Sequence, residues 1–94
     1  MPSTPRPRTR RPHRRSERLL AETEAAHAYL NLALGARDDW GVTLNLEKAF
    51  QSFRAINTGI ARGRLDPSLE DRILAARQGL QERLYNVAYA VAEP

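Results

Sequence analysis

Glu24-Ala-Ala-His27 is the spacing in this chain that most resembles catalytic equipment. A Glu-x-x-His step puts a carboxylate and an imidazole on one face of a helix, and di-iron carboxylate bundles build their metal sites from such steps. Those sites take two copies of the motif and two further glutamates, whereas this sequence has a single copy, so a homodimer would have to supply the second. Glu24 also lies away from the centre of the apolar stripe its helix is expected to bury. No metal site and no cofactor is predicted.

Other chemistry is less well equipped. His13 is the only other histidine, so a nucleophilic triad has no evident base for Ser52 or Ser68. Asp38-Asp39 and Glu70-Asp71 read as a loop and a helix start, because adjacent residues on a helix point apart. There is no P-loop, dinucleotide fingerprint or calcium loop, and Gly59-Ile-Ala-Arg-Gly63 reads as a helix ending, not a phosphate cradle. Cysteine is absent, which removes disulfides, thiol nucleophiles, thiolate zinc and iron–sulfur clusters. The chain is expected to be no enzyme, with no catalytic residue and no small-molecule substrate.

Charge is the second source of chemistry. Residues 1–15 carry six arginines, four prolines and no acid. The formal net charge of +4 therefore divides into +6 on this segment and −2 on the remainder. With almost nothing apolar to bury, residues 1–15 are expected to form a disordered arm, locally polyproline-like. Arg6, Arg8, Arg10, Arg11, Arg14 and Arg15 are its candidate nucleic-acid contacts. They would release counterions and confer steep salt dependence with little sequence preference, and such an arm can enter a minor groove. Arginine outnumbers lysine fourteen to one; that suits phosphate, and it also follows from a GC-rich genome.

The arm lacks the apolar run of a secretory or twin-arginine signal, and its prolines oppose the amphipathic helix of a transit peptide. No run approaches the ~18 apolar residues of a membrane span. A cytoplasmic protein without membrane contact is expected.

Residues 16–94 must supply the elements that hold any site. Ser16 is expected to cap a helix over about 17–35, on which Leu19, Ala26, Leu30 and Ala33 recur at three- and four-residue steps. Residues 36–41 read as a loop. A second helix over about 44–62 starts at Thr43 or Asn45, presents Leu46, Ala49, Phe50, Phe53, Ile56 and Ile60, and stops at Gly63. "VTLNL" alternates like a strand but has no partner strand. Asp66, Pro67 and Glu70 mark the start of a third helix over 67–92, with a stripe of Leu69, Ile73, Ala76, Leu80, Leu84, Val87 and Val91. The predicted fold is all-α, an up-down-up three-helix bundle with a long C-terminal helix.

Helix 3 carries a second apolar strip, Leu74, Tyr85, Ala88 and Ala92, with Tyr89 at its edge. A helix touching two neighbours needs a wide stripe. Helix 3 is also about two turns longer than predicted helices 1 and 2, and the excess favours a second copy or another protein as partner. Leu74, Tyr85, Tyr89, Ala92 and Trp40 are the candidate interface residues. Asn57, in the apolar face of helix 2, and His27, at the border of helix 1's stripe, each need a hydrogen-bond partner. Residues 62–65 superficially suggest a helix-turn-helix, but Glu70 and Asp71 in the first turn of helix 3 would repel phosphate. The function expected is a small regulatory or adaptor protein acting by protein–protein contact, as a homodimer; the alternative is nucleic-acid binding through the arm.

Overall fold

The computed structural model describes the backbone of residues 11–92 and side chains from residue 14 onward. These residues form three helices, α1 (Arg11–Gly35), α2 (Asp39–Arg62) and α3 (Pro67–Ala92), and no strand occurs among them. The fold is all-α, and "VTLNL" lies inside α2.

Two boundaries differ from expectation. Helix α1 begins at Arg11, not near Glu17, so residues 11–15 are helical and not part of a disordered arm. Pro12 permits this because it falls in the first turn, where backbone N–H groups have no intrahelical acceptor. Whether residues 1–10 are disordered lies outside the described residues. Ser16 is consequently no cap; it is wholly buried inside α1. Helix α2 begins at Asp39 because Asp38 caps it, its carboxylate accepting from Gly41 N at 2.8 Å. A Cβ at position 41 would stand 3.0 Å from that Asp38 oxygen, so the glycine that reads as loop material serves the cap. The remaining ends fall as the sequence implies, at Gly35, at Gly63 and at Pro67 behind Asp66. Asp66 accepts from Ser68 N at 3.0 Å.

With these boundaries the helices have 25, 24 and 26 residues. The predicted length excess of helix 3 does not exist, and it cannot be the reason for an uncovered surface.

The core is the set of stripes read from the periodicity. Ala26, Leu30 and Ala33 of α1, Ala49 and Ile56 of α2, and Ile73, Leu80, Leu84 and Val87 of α3 are buried, with Phe50, Phe53, Ile60 and Val91 packed partly against them. Each pair of helices is also tied by polar or cationic contacts. Between α1 and α2, the Lys48 ammonium lies 5.7 Å from the Tyr29 ring centre. Between α2 and α3, the Arg77 Nε donates to the Asn57 side-chain oxygen while its guanidinium lies 5.7 Å from the Phe53 ring centre. Between α1 and α3, Arg83 reaches His27 and Asn31.

Where the helices turn, the fit is tight. Ser16 Oγ accepts from the backbone N of Asp66 at 2.9 Å, and Arg15 donates to the carbonyls of Arg64, at 2.9 Å, and Gly59. The second turn of α1 thus clasps the α2–α3 junction. Gly59 allows α1 and α2 to approach here, since a Cβ on it would lie 2.5 Å from Leu19 Cδ2.

Candidate interaction surfaces

The second apolar strip of α3 faces outward. Tyr85 is 63% exposed, Tyr89 72% and Leu74 41%, and Ala92 is exposed beside them. Tyr85, Tyr89 and Ala92 follow one another at four- and three-residue steps, and contiguous apolar area, unlike scattered residues, drives association; Leu74 stands about 16 Å away along the same face, beyond Gln78 and Glu82, which are exposed and hydrogen-bonded to each other.

Next to that row the bundle is open. The α2–α3 seam is the least closely packed of the three. Towards the C-terminal end of α3 it forms a groove of about 510 Å³ lined by Asp39, Val42, Thr43, Leu46, Glu47 and Phe50 of α2 and by Val91 of α3. Val42, Leu46 and Phe50 recur at four-residue steps and point towards α3. On α3, Ala88 follows Tyr85 by three residues and stands between the groove and the strip. The groove floor is apolar, and its α2 rim carries two carboxylates, Asp39 and Glu47.

Trp40, also 72% exposed, does not line the groove. It stands three residues before Thr43 and seven before Glu47, at the outer edge of the groove's α2 rim. Leu32 of α1 is exposed too. The candidate interface residues therefore divide, with Leu74, Tyr85, Tyr89 and Ala92 along one face of α3 and Trp40 on α2. The groove residues were legible only as core, since Leu46, Phe50 and Val91 sit in the main stripes; period alone does not reveal a seam that fails to close.

The two polar residues singled out in apolar faces are both partnered. Arg77 serves Asn57. At His27, Arg83 Nη1 lies 2.9 Å from Nδ1 and Arg83 Nη2 donates to Asn31 at 2.6 Å. Arginine has donors only, so Nδ1 accepts and the ring proton belongs on Nε2. Burial pushes the His27 imidazole below its ordinary range, and the positive Arg83 acts in the same direction. Glu24 is exposed and its carboxylate makes no bond to His27, so only the histidine of the Glu-x-x-His step joins the α1–α3 crosslink. Ser68 donates from its backbone N and its hydroxyl to the Asp66 carboxylate that caps α3, and Ser52 is buried in the bundle. No three His, Asp or Glu side chains converge among the described residues.

Of the six candidate nucleic-acid contacts, Arg6, Arg8, Arg10 and the side chain of Arg11 lie outside the described residues. Arg14 is exposed. Arg15 is not a free arm residue, because its guanidinium is bound to the carbonyls that end α2. No described helix is long and apolar enough to cross a membrane. Comparison with known proteins gives no match, either to a family model, to a curated protein or to a solved structure.

Proposed function

We propose that the chain is a small non-enzymatic adaptor or regulatory protein, an up-down-up three-helix bundle that works as a cytoplasmic homodimer and meets its partners through α3. The observation that carries this reading is the adjacency of the exposed Tyr85, Tyr89 and Ala92 to the open α2–α3 groove, with Leu74 further along the same face of α3. One chain holds both an apolar ridge and an apolar trough. A two-fold axis across α3 lets each copy's ridge cover the other's trough, which is the self-complementarity an isologous interface requires. Tyrosine suits the role, with a large apolar ring and a hydroxyl that tolerates the wet rim.

The size of the surface sets the strength expected. From Leu74 to Ala92 the face, with Gln78 and Glu82 included, is about 27 Å long, and two helices about 10 Å wide give at most roughly 500 Å² per copy. A standard interface takes about 800 Å² per partner, so the dimer is a weak, concentration-dependent one. Light scattering of the full chain across a wide concentration range tests this directly. The mass should rise from one chain to two. A mass fixed at one chain throughout refutes the homodimer.

A further inference from the structure

We propose that the end of the bundle where α1 begins and α2 stops is a binding site for the phosphate backbone of double-stranded nucleic acid, built by Arg14 and Arg18 of α1 with Arg62 and Arg64 of α2 and its exit. The four come together through the clasp. Arg15 and Ser16 hold the α2–α3 junction against the second turn of α1, which brings the end of α2 beside Arg14 and Arg18. Arg18 and Ala55 line one shallow depression between the two helices. Arg14 precedes Arg18 by one turn, and Arg62 follows Ala55 by two, so both continue the same outer face towards the end of the bundle.

All four side chains are exposed. None of their guanidinium groups makes an ion pair or hydrogen bond among the described residues. Like charges at one end of the bundle repel one another, and a polyanion relieves all of them at once. A single carboxylate or phosphate satisfies one or two arginines, whereas a duplex offers a charge about every 1.7 Å along its axis. The guanidinium fork matches phosphate oxygens two at a time.

Carboxylates bound the site. Glu17 is exposed between Arg14 and Arg18 on α1, Glu22 lies one turn beyond Arg18 in the depression, and Glu70 and Asp71 occupy the start of α3. The duplex therefore crosses α1 and α2 and avoids α3. An anionic membrane is the poorer occupant, because interfacial helices set exposed bulky apolar side chains beside their basic ones, whereas here Leu19 is buried and the exposed neighbours of the arginines include Glu17, Ala21, Ala55 and Thr58.

The test is anisotropy of a labelled mixed-sequence duplex of about 20 base pairs, titrated with the full chain at a series of salt concentrations. Binding should weaken steeply with salt. Each phosphate neutralised contributes about 0.9 to the log–log slope, so in the triple variant R18A/R62A/R64A the slope should fall by about 2–3, and low-salt affinity should drop tenfold or more. Lysine at the same three positions should restore most of the slope, which separates removal of charge from a damaged fold. The proposal is overturned by an unchanged slope in the alanine variant, by no salt-dependent duplex binding, or by tighter binding to phosphatidylserine vesicles than to the duplex.

Discussion

Arg83 of α3 donates from one terminal nitrogen to His27 Nδ1 at 2.9 Å and from the other to the Asn31 side chain at 2.6 Å. Six residues earlier on the same helix, Arg77 turns the other way to bind Asn57 of α2. The third helix is thus fixed to each neighbour by one arginine, Arg83 binding His27 and Asn31 on α1 and Arg77 binding Asn57 on α2. Such pairs favour one register, because sliding α3 by a turn would leave Asn57 or His27 without its bond.

The Arg83–His27 contact makes stability depend on pH. In the unfolded chain His27 titrates near its ordinary value of about 6.5; in the fold its pKa is lower, through burial and then through Arg83. The neutral ring is the form the fold prefers. Its contribution is complete above about pH 6.5 and disappears as pH falls through the folded-state pKa. The melting temperature should drop between about pH 7 and pH 5 in the parent, and His27→Gln, which accepts from Arg83 without titrating, should be free of that part of the drop.

Gly59 should not accept a methyl group. Alanine gains roughly 0.5–1 kcal/mol of helix propensity. Its Cβ, however, would be 2.5 Å from Leu19 Cδ2, and Leu19 is buried. Overpacking costs about 1–3 kcal/mol, so strain wins. Gly59→Ala should lower the melting temperature by about 4–8 °C for each net kcal/mol of destabilisation in a domain of this size. Adding Leu19→Ala should cost less than the two single substitutions combined. A Gly59→Ala midpoint equal to the parent's in urea would show that Leu19 swings clear.

The clasp gives a prediction about where the chain tolerates shortening. Ser16→Ala strands the buried Asp66 N–H, a destabilisation of about 1–3 kcal/mol. Removing residues 1–15, the cut that composition suggests, takes Arg15 away from the Gly59 and Arg64 carbonyls. Removing residues 1–10 leaves the clasp whole. Urea midpoints should follow the order parent and the shorter deletion together, then the longer deletion and Ser16→Ala below them.

How much of this was legible depended on whether the signal was local. Helix type, the three apolar stripes and the Asp66-Pro67 start are set by period and by neighbouring residues, and the structure follows them. The start of α1 was hidden because six arginines and Pro12 read as unfolded chain, while the stabilising contacts come from residues some fifty positions away. Asp38 was hidden by a glycine three residues later that looks like a loop and belongs to the cap. At the candidate site, the exposure of Tyr85 and Tyr89 followed from their helical phase. The groove did not, since whether Leu46, Phe50 and Val91 close against one another depends on how far two helices stand apart.

Variants of α3 separate fold from association. Leu80 is completely buried, and an aspartate there places an unpaired charge in the core, so Leu80→Asp should abolish helicity. Tyr85→Ala and Tyr89→Ala remove rings that are mostly in water in the single chain, and each should leave the thermal midpoint within a few degrees of the parent. If these rings fill the partner's groove, each truncation should cost at least about 1.4 kcal/mol of pairing, or about tenfold in the dimer constant. Leu32→Ala is the decisive companion. Leu32 is 56% exposed but stands about 200° around α1 from the buried Leu30 and lines no part of the groove, so its removal should leave the dimer constant within about twofold. Sedimentation equilibrium of all four variants reads these differences. A Leu32→Ala effect as large as that of Tyr85→Ala would place the contact on the wrong face of the bundle, because a surface centred on α3 does not reach the outer side of α1.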